Sequence, residues 1–61
     1  MNKDVELAID NAYECANVYT TTDEKRGHVL GCLNALFITK QIDYEDYKAY
    51  CRNICVDFPT T

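Results

Sequence analysis

Four cysteines and a histidine are the residues of this 61-residue chain whose types and spacing could do chemistry. His28 and Cys32 stand four residues apart, as do Cys51 and Cys55, so a helix would place each pair on one side. Two antiparallel helices could then present a tetrahedral zinc site, with Cys15 or another residue of the first helix as a further ligand. Structural zinc sites usually take their cysteines from tight turns, whereas every candidate here falls within a predicted helix. We therefore expect no metal or cofactor and thiols packed in the core, with zinc as the alternative.

A cysteine and histidine pair could also serve nucleophilic catalysis, but that chemistry needs a cleft and a third group that orients the base. A helical domain of 61 residues has little volume for such a cleft. The carboxylates lie on solvated helix faces, without a hydrophobic pocket to raise the pKa of one of them. We predict that the protein is not an enzyme and that His28 is a solvated or capping residue.

Acidic residues and tyrosines are the candidates for binding a partner. Glu6, Asp10 and Glu14 follow one another at intervals of four, which places them in a stripe on the first helix. Tyr13 and Tyr50 fall at the edges of apolar helix faces, where tyrosine gives a large contact area for little loss of entropy. The sequence predicts these five residues as a partner-binding set. The alternatives are a plain solvated stripe and tyrosines that only cover the core.

The net charge of the chain limits the classes of partner that it can bind. Ten acidic against six basic residues give a formal charge of −4, with a pI near 4.6. Such a chain repels phosphate backbones and anionic lipid head groups, so we expect neither direct nucleic-acid binding nor membrane binding. A protein with a basic surface is the favoured partner.

The pattern of apolar residues predicts an all-α fold of three helices, at about residues 4–19, 23–40 and 44–58. Thr21 with Glu24 fits a capping box at the start of the second helix. Asp43 can cap the third helix, with Ile42 and Tyr47 at the positions of a hydrophobic staple. The connection between the second and third helices is short, so we expect these two to form an antiparallel hairpin.

The second helix carries two different faces. Large apolar residues form a broad core face, comprising Val29, Leu30, Leu33, Leu36 and Phe37. Gly27, Gly31 and Ala35 recur every four residues on another side, with Ile38 beside them, and small residues at this spacing let a second backbone approach closely. Either this small-residue ridge packs on the first helix within one molecule, or it forms a homodimer or receives a partner.

Size and termini complete the prediction of one domain over residues 1–61. Residues 1–6 lack the basic start and apolar run of a secretory signal, and no apolar stretch approaches the roughly 18 residues needed to span a bilayer. We therefore expect a cytoplasmic protein whose cysteines are reduced.

These features favour a small acidic module that binds and modulates or inhibits another protein. In size and composition, across the whole chain, it resembles the short accessory proteins of phages and mobile elements that act on host enzymes or defence complexes. That resemblance includes no diagnostic motif, so it assigns no functional residue. A zinc-stabilised helical module and an architectural subunit of a larger assembly are the alternatives.

Overall fold

The computed structural model describes residues 3–59, which form three α-helices and, within that range, no strand. The helices are α1 (Lys3–Cys15), α2 (Thr22–Ile38) and α3 (Tyr44–Asp57). This confirms the predicted all-α, three-helix fold. Residues 1–2 of the predicted N-terminus and residues 60–61 of the predicted domain lie outside the described residues. Within residues 3–59, no helix combines the length and the apolar character needed to cross a membrane.

The first helix ends earlier than the predicted residue 19. A 3₁₀ turn, Ala16–Val18, follows α1, and the backbone N–H of Tyr19 donates to the carbonyl of Ala16 at 3.0 Å. The β-branched residues that come next, beginning with Val18 and continuing through three threonines, are poor helix formers and favour this tighter ending. Tyr19 itself is extended, so the chain turns towards α2 at this residue.

Both predicted N-terminal caps are confirmed. The Thr21 Oγ1 accepts from the backbone N–H of Glu24 at 3.1 Å, and the Asp43 carboxylate accepts from that of Asp46 at 2.9 Å. Each bond satisfies one of the backbone donors that a helix start leaves unpaired. Ile42, before the second cap, is buried in the core as the staple requires.

The second helix ends two residues before the predicted Lys40, in a Schellman motif. The N–H of Lys40 donates to the carbonyl of Phe37 at 3.0 Å, and that of Gln41 donates to Leu36 at 2.9 Å. Lys40 has a φ of 63°, the left-handed conformation that reverses the chain and that glycine most often adopts. The helix stops because these bonds turn the backbone away from the helical path.

The core forms where α2 packs against both α1 and α3. Its buried members come from all three helices and the two connections: Val5, Ile9, Ala12, Ala16, Val29, Leu33, Ile42 and Ile54. Arg26, near the start of α2, donates from Nη1 to the carbonyl of Phe58 at 3.1 Å. This bond joins the first turns of α2 to the chain just after α3, so the two helices run antiparallel, as predicted.

Candidate functional site

Tyr13 is held by contacts within the molecule. Its hydroxyl donates to the Asp57 carboxylate at 2.6 Å, and its ring centroid lies 5.4 Å from that of Phe58. Burial, followed by the hydrogen bond to Asp57, raises the pKa of the Tyr13 hydroxyl well above its ordinary value of 10.0. These contacts tie the last turn of α1 to the end of α3. They match the alternative in which an edge tyrosine covers the core.

Tyr50 lies among carboxylates from two helices. Burial raises the pKa of its hydroxyl, and the charges of Glu6, Asp46 and Asp10 raise it further. Glu6 and Asp10 belong to α1, whereas Asp46 and Tyr50 belong to α3, so the fold brings two residues of the predicted stripe close enough to the third helix to act on Tyr50. We call Glu6, Asp10, Asp46 and Tyr50 the acidic face. Glu14, the third member of the predicted stripe, does not contribute to this effect on Tyr50.

Asp46 is the member of this face that the sequence prediction did not include. It stands four residues before Tyr50 on the same helix, and that spacing is the signal that could have identified it. Its backbone N–H is engaged by the Asp43 cap, while its half-buried carboxylate adds to the field around Tyr50.

No cation neutralises the acidic face within the part of the chain that the structure describes. The ion pairs found there join Arg26 to Asp23 at 2.8 Å and Lys48 to Glu45 at 3.5 Å. Both are pairs between neighbouring turns of one helix, and neither includes a carboxylate of the acidic face. Among residues 3–59, no basic side chain therefore forms an ion pair that offsets the negative potential at this face.

The small-residue ridge of α2 faces open space. A Cβ atom added to Gly27 or Gly31 would meet nothing within 4 Å, Ala35 is exposed, and Ile38 is 68% exposed. Of the two alternatives for the ridge, close packing on α1 within one molecule is not seen at either glycine. The large side chains of α2 make its contacts with the core, and the ridge lies on the opposite side of the helix.

An open groove runs between α1 and α2 beside this ridge. Its volume is about 510 Å³, and its lining comes from the two helices and the cap of α2: Ala8, Asn11, Ala12, Cys15, His28, Cys32, Ala35, Leu36 and Thr39. His28 is half-buried rather than fully solvated, because the ring of Tyr19 lies against it with centroids 5.4 Å apart. The Cys32 Sγ lies 3.9 Å from the His28 Nε2. The prediction of a solvated or capping His28 missed this contact.

The cysteines are not gathered into one site. Cys32 lines the groove, whereas Cys51 lines a separate hollow on α3 with Tyr47, Lys48 and Arg52. Among residues 3–59, no three histidine, cysteine, aspartate or glutamate side chains come close enough to hold a metal ion. The four alternative ligands, His28, Cys32, Cys51 and Cys55, thus do not form the zinc tetrahedron.

All four thiols are free, and their burial differs from the expected core packing. Cys32 and Cys51 are half-buried, but Cys15 and Cys55 are exposed, so the prediction of core thiols is wrong for these two. Cys15 comes at the last position of α1, beside the 3₁₀ turn, and Cys55 lies on the side of α3 away from Ile54. A face assigned from periodicity alone placed both too near the core.

Comparison with family models, with curated proteins and with solved structures finds no match to this chain, so no functional residue is carried over from a relative.

Proposed function

We propose that this protein acts by binding another protein through the acidic face, and that it modulates or inhibits this partner by covering a basic surface. The observation that supports the proposal is that the charges of Glu6, Asp10 and Asp46, which come from two helices, all act on the Tyr50 hydroxyl, with no cation paired to them among the described residues. Two helices contribute to this arrangement, so it exists only in the folded protein.

The acidic face combines negative charge with a half-buried aromatic side chain. Carboxylates that lack a partner attract lysine and arginine side chains, which accelerates association and selects against acidic surfaces. Tyr50 stands among them half-buried, so its ring is already ordered before a partner arrives. An aromatic side chain within a ring of charges is a common centre of binding energy at protein interfaces.

The proposal also specifies the kind of action. The net charge of −4 disfavours nucleic acid and anionic membranes as direct ligands, and a basic protein surface remains as the complementary target. Many basic surfaces on proteins bind nucleic acid or other polyanions, so a small acidic domain seated there would compete with the natural ligand. We propose that the protein binds its partner without catalysing a reaction. The compartment that we propose is the cytoplasm.

The test compares two variants of equal charge. Glu6→Gln/Asp10→Asn neutralises the acidic face, and Asp23→Asn/Glu45→Gln neutralises two carboxylates elsewhere, each changing the net charge from −4 to −2. Partners are captured from a lysate of the source cells with the wild type, identified, purified and titrated against all three proteins. We expect the acidic-face variant to lose about tenfold or more in affinity, and the control to lose little.

Salt provides the second measurement. Affinity for the captured partner should fall as ionic strength rises for the wild type and the control, and the acidic-face variant should show a weaker dependence. Equal losses in the two variants would mean that only net charge matters. Unchanged binding by the acidic-face variant would rule out this face as the binding surface.

A further inference from the structure

A hollow on the surface of α3 combines a thiol with two basic side chains. Its volume is about 380 Å³, and its lining consists of Tyr47, Lys48, Cys51 and Arg52. These residues lie on one side of the helix, because they occupy two adjacent positions on each of two successive turns. We call these four residues the basic hollow. They include no residue of the acidic face or of the groove between α1 and α2.

The two cations of the basic hollow are available to a ligand. Arg52 is exposed and forms no ion pair or hydrogen bond within residues 3–59. The Lys48 Nζ lies 3.5 Å from the Glu45 carboxylate and 4.8 Å from the centroid of the Tyr44 ring. Both contacts lie at the surface, where such interactions contribute little free energy. A carboxylate of a ligand can therefore take the place of Glu45 beside Lys48.

The thiol of the basic hollow contacts an aromatic side chain that is anchored in the fold. The ring of Tyr47 packs against that of Phe37 on α2, with centroids 4.7 Å apart. A hydrogen bond to Cys51, followed by the charge of that group, raises the pKa of the Tyr47 hydroxyl. Cys51 itself is half-buried, so part of its surface stays open to the hollow. The fold thus holds the sulfur in one hollow with both cations.

We propose that Cys51 is a site of reversible modification by small anionic disulfides, whose carboxylates bind to Lys48 and Arg52. In this reaction the Cys51 thiolate attacks one sulfur of the disulfide, so that a new S–S bond forms and the original one breaks. The departing thiolate keeps the bonding electrons and takes a proton from water, which balances the proton that Cys51 has released. The disulfide is the oxidant, and an excess of free thiol reverses the step.

Charge distinguishes this thiol from the other half-buried thiol, Cys32. The groove that Cys32 lines includes no lysine or arginine in its lining. The chain as a whole carries a charge of −4, which repels an anionic reagent from most of its surface. Two cations one helical turn apart reverse this effect locally and raise the concentration of carboxylates beside Cys51. Cys32 is therefore an internal reference within the same molecule.

Thiol exchange on the full chain tests the proposal. The reduced protein reacts at low salt with oxidised glutathione, which is anionic, or with neutral bis(2-hydroxyethyl) disulfide, and the remaining thiols are then alkylated. Trypsin leaves each cysteine in a separate peptide, so mass spectrometry gives a rate for each thiol. The ratio of the anionic to the neutral rate removes differences in intrinsic reactivity. We expect this ratio to be about tenfold higher at Cys51 than at Cys32, and the difference to shrink at high salt.

Two variants of equal charge separate the hollow from the net charge. Lys48→Gln/Arg52→Gln removes both cations of the hollow, and Lys3→Gln/Lys40→Gln removes two positive charges at exposed positions outside it. All four side chains are exposed, so both variants should keep their helical circular dichroism. The first variant should lose the preference of Cys51 for the anionic disulfide, and the control should retain it. Fragment ions locate the adduct where a cleavage site is lost.

Three results would overturn the proposal. A ratio at Cys51 no higher than that at Cys32 would show that the cations do not select the reagent. Equal losses in the two variants would assign the preference to net charge alone. A Cys51 that reacts with neither disulfide, while Cys32 reacts, would show that the hollow does not admit them. The acidic face has no part in this reaction, so Glu6→Gln/Asp10→Asn should leave the preference unchanged, and the two proposals can fail separately.

Discussion

The helices α1 and α2 form a layer, and the side chains that pack on its two sides differ in size. On the side that faces α3, long side chains close the gap: Ile54 is fully buried, and Tyr13 reaches across to Asp57. On the other side, small residues leave a groove, and Ile38 stands 68% exposed. Apolar side chains contribute to the packing on both sides, so hydrophobicity alone does not distinguish them. Side-chain size does.

The side that faces α3 and the side with the groove also differ in charge. The carboxylates of Glu6 and Asp10 gather beside α3, around Tyr50, whereas the groove is lined mainly by alanine, thiol and amide or hydroxyl groups. A small domain can thus present two surfaces suited to different contacts. The acidic face attracts a basic surface from a distance, whereas the lining of the groove includes no lysine, arginine or carboxylate that would do so.

Isoleucine truncation should show the difference between the sides most strongly. Ile54→Ala removes buried methyl groups and should lower the free energy of unfolding by about 2–5 kcal/mol, enough to unfold much of so small a domain. Ile38→Ala should cost less than about 0.5 kcal/mol, because Ile38 is 68% exposed. Urea unfolding followed by circular dichroism measures both. Equal losses would show that the ridge side is packed within the monomer.

The Tyr13 hydroxyl should contribute the next largest effect. Tyr13→Phe removes a hydrogen bond to a carboxylate and should lower the free energy of unfolding by about 1 kcal/mol at neutral pH. Tyr19→Phe is the matched control, because its ring contact with His28 does not use the hydroxyl.

The same variant should change the pH dependence of stability. The pKa of Tyr13 is raised in the folded protein, so above pH 10.0 the unfolded chain releases this proton while the folded protein keeps it. Stability is therefore full below that pH and decreases as pH rises above it. Tyr13→Phe should make the decrease shallower in denaturant titrations at successive pH values. A decrease as steep as that of the wild type would show that the pKa of Tyr13 is not raised in the folded protein.

A substitution in the glycine ridge should raise the free energy of unfolding, whereas the preceding substitutions lower it. Gly31→Ala should raise the stability of the monomer by about 1 kcal/mol, because alanine favours the helix and nothing lies within 4 Å of the added Cβ. Ala49→Gly, at an exposed position of α3, should lower stability by a similar amount. This control measures the difference between alanine and glycine at an exposed helical position of this protein. A loss of stability in Gly31→Ala would indicate a neighbour that fills this space.

Local chemistry made some of these features predictable. Thr21 and Asp43 cap their helices because a short side chain with an oxygen acceptor can reach a backbone N–H three residues ahead, whatever the rest of the chain does. The helical period likewise identified the buried side of each helix, including Val29 and Leu33 on α2.

Other features depend on which helix meets which, and periodicity does not contain that information. The spacing of Gly27 and Gly31 defines a ridge but not its neighbour, and the monomer leaves the ridge open. Asp46 and Glu6 both act on Tyr50 only because α1 and α3 pack on the same helix, α2. His28 is half-buried because the early end of α1 brings Tyr19 against it. Each case is a tertiary contact that local propensity does not specify.

Tyr50 itself should give the smallest effect and the most specific test of the acidic face. Glu6→Gln/Asp10→Asn removes two of the charges that raise the pKa of its hydroxyl, so this pKa should move back towards 10.0, while burial keeps it above that value. Glu14→Gln is the control, since Glu14 belongs to the same helix without contributing at Tyr50. The pKa of Tyr50 is measured by NMR titration of its ring-carbon signals, which are resolved from those of the other tyrosines. An equal shift with Glu14→Gln would mean that the stripe acts as a diffuse field, and no shift in either variant would place α1 farther from α3 than the structure does.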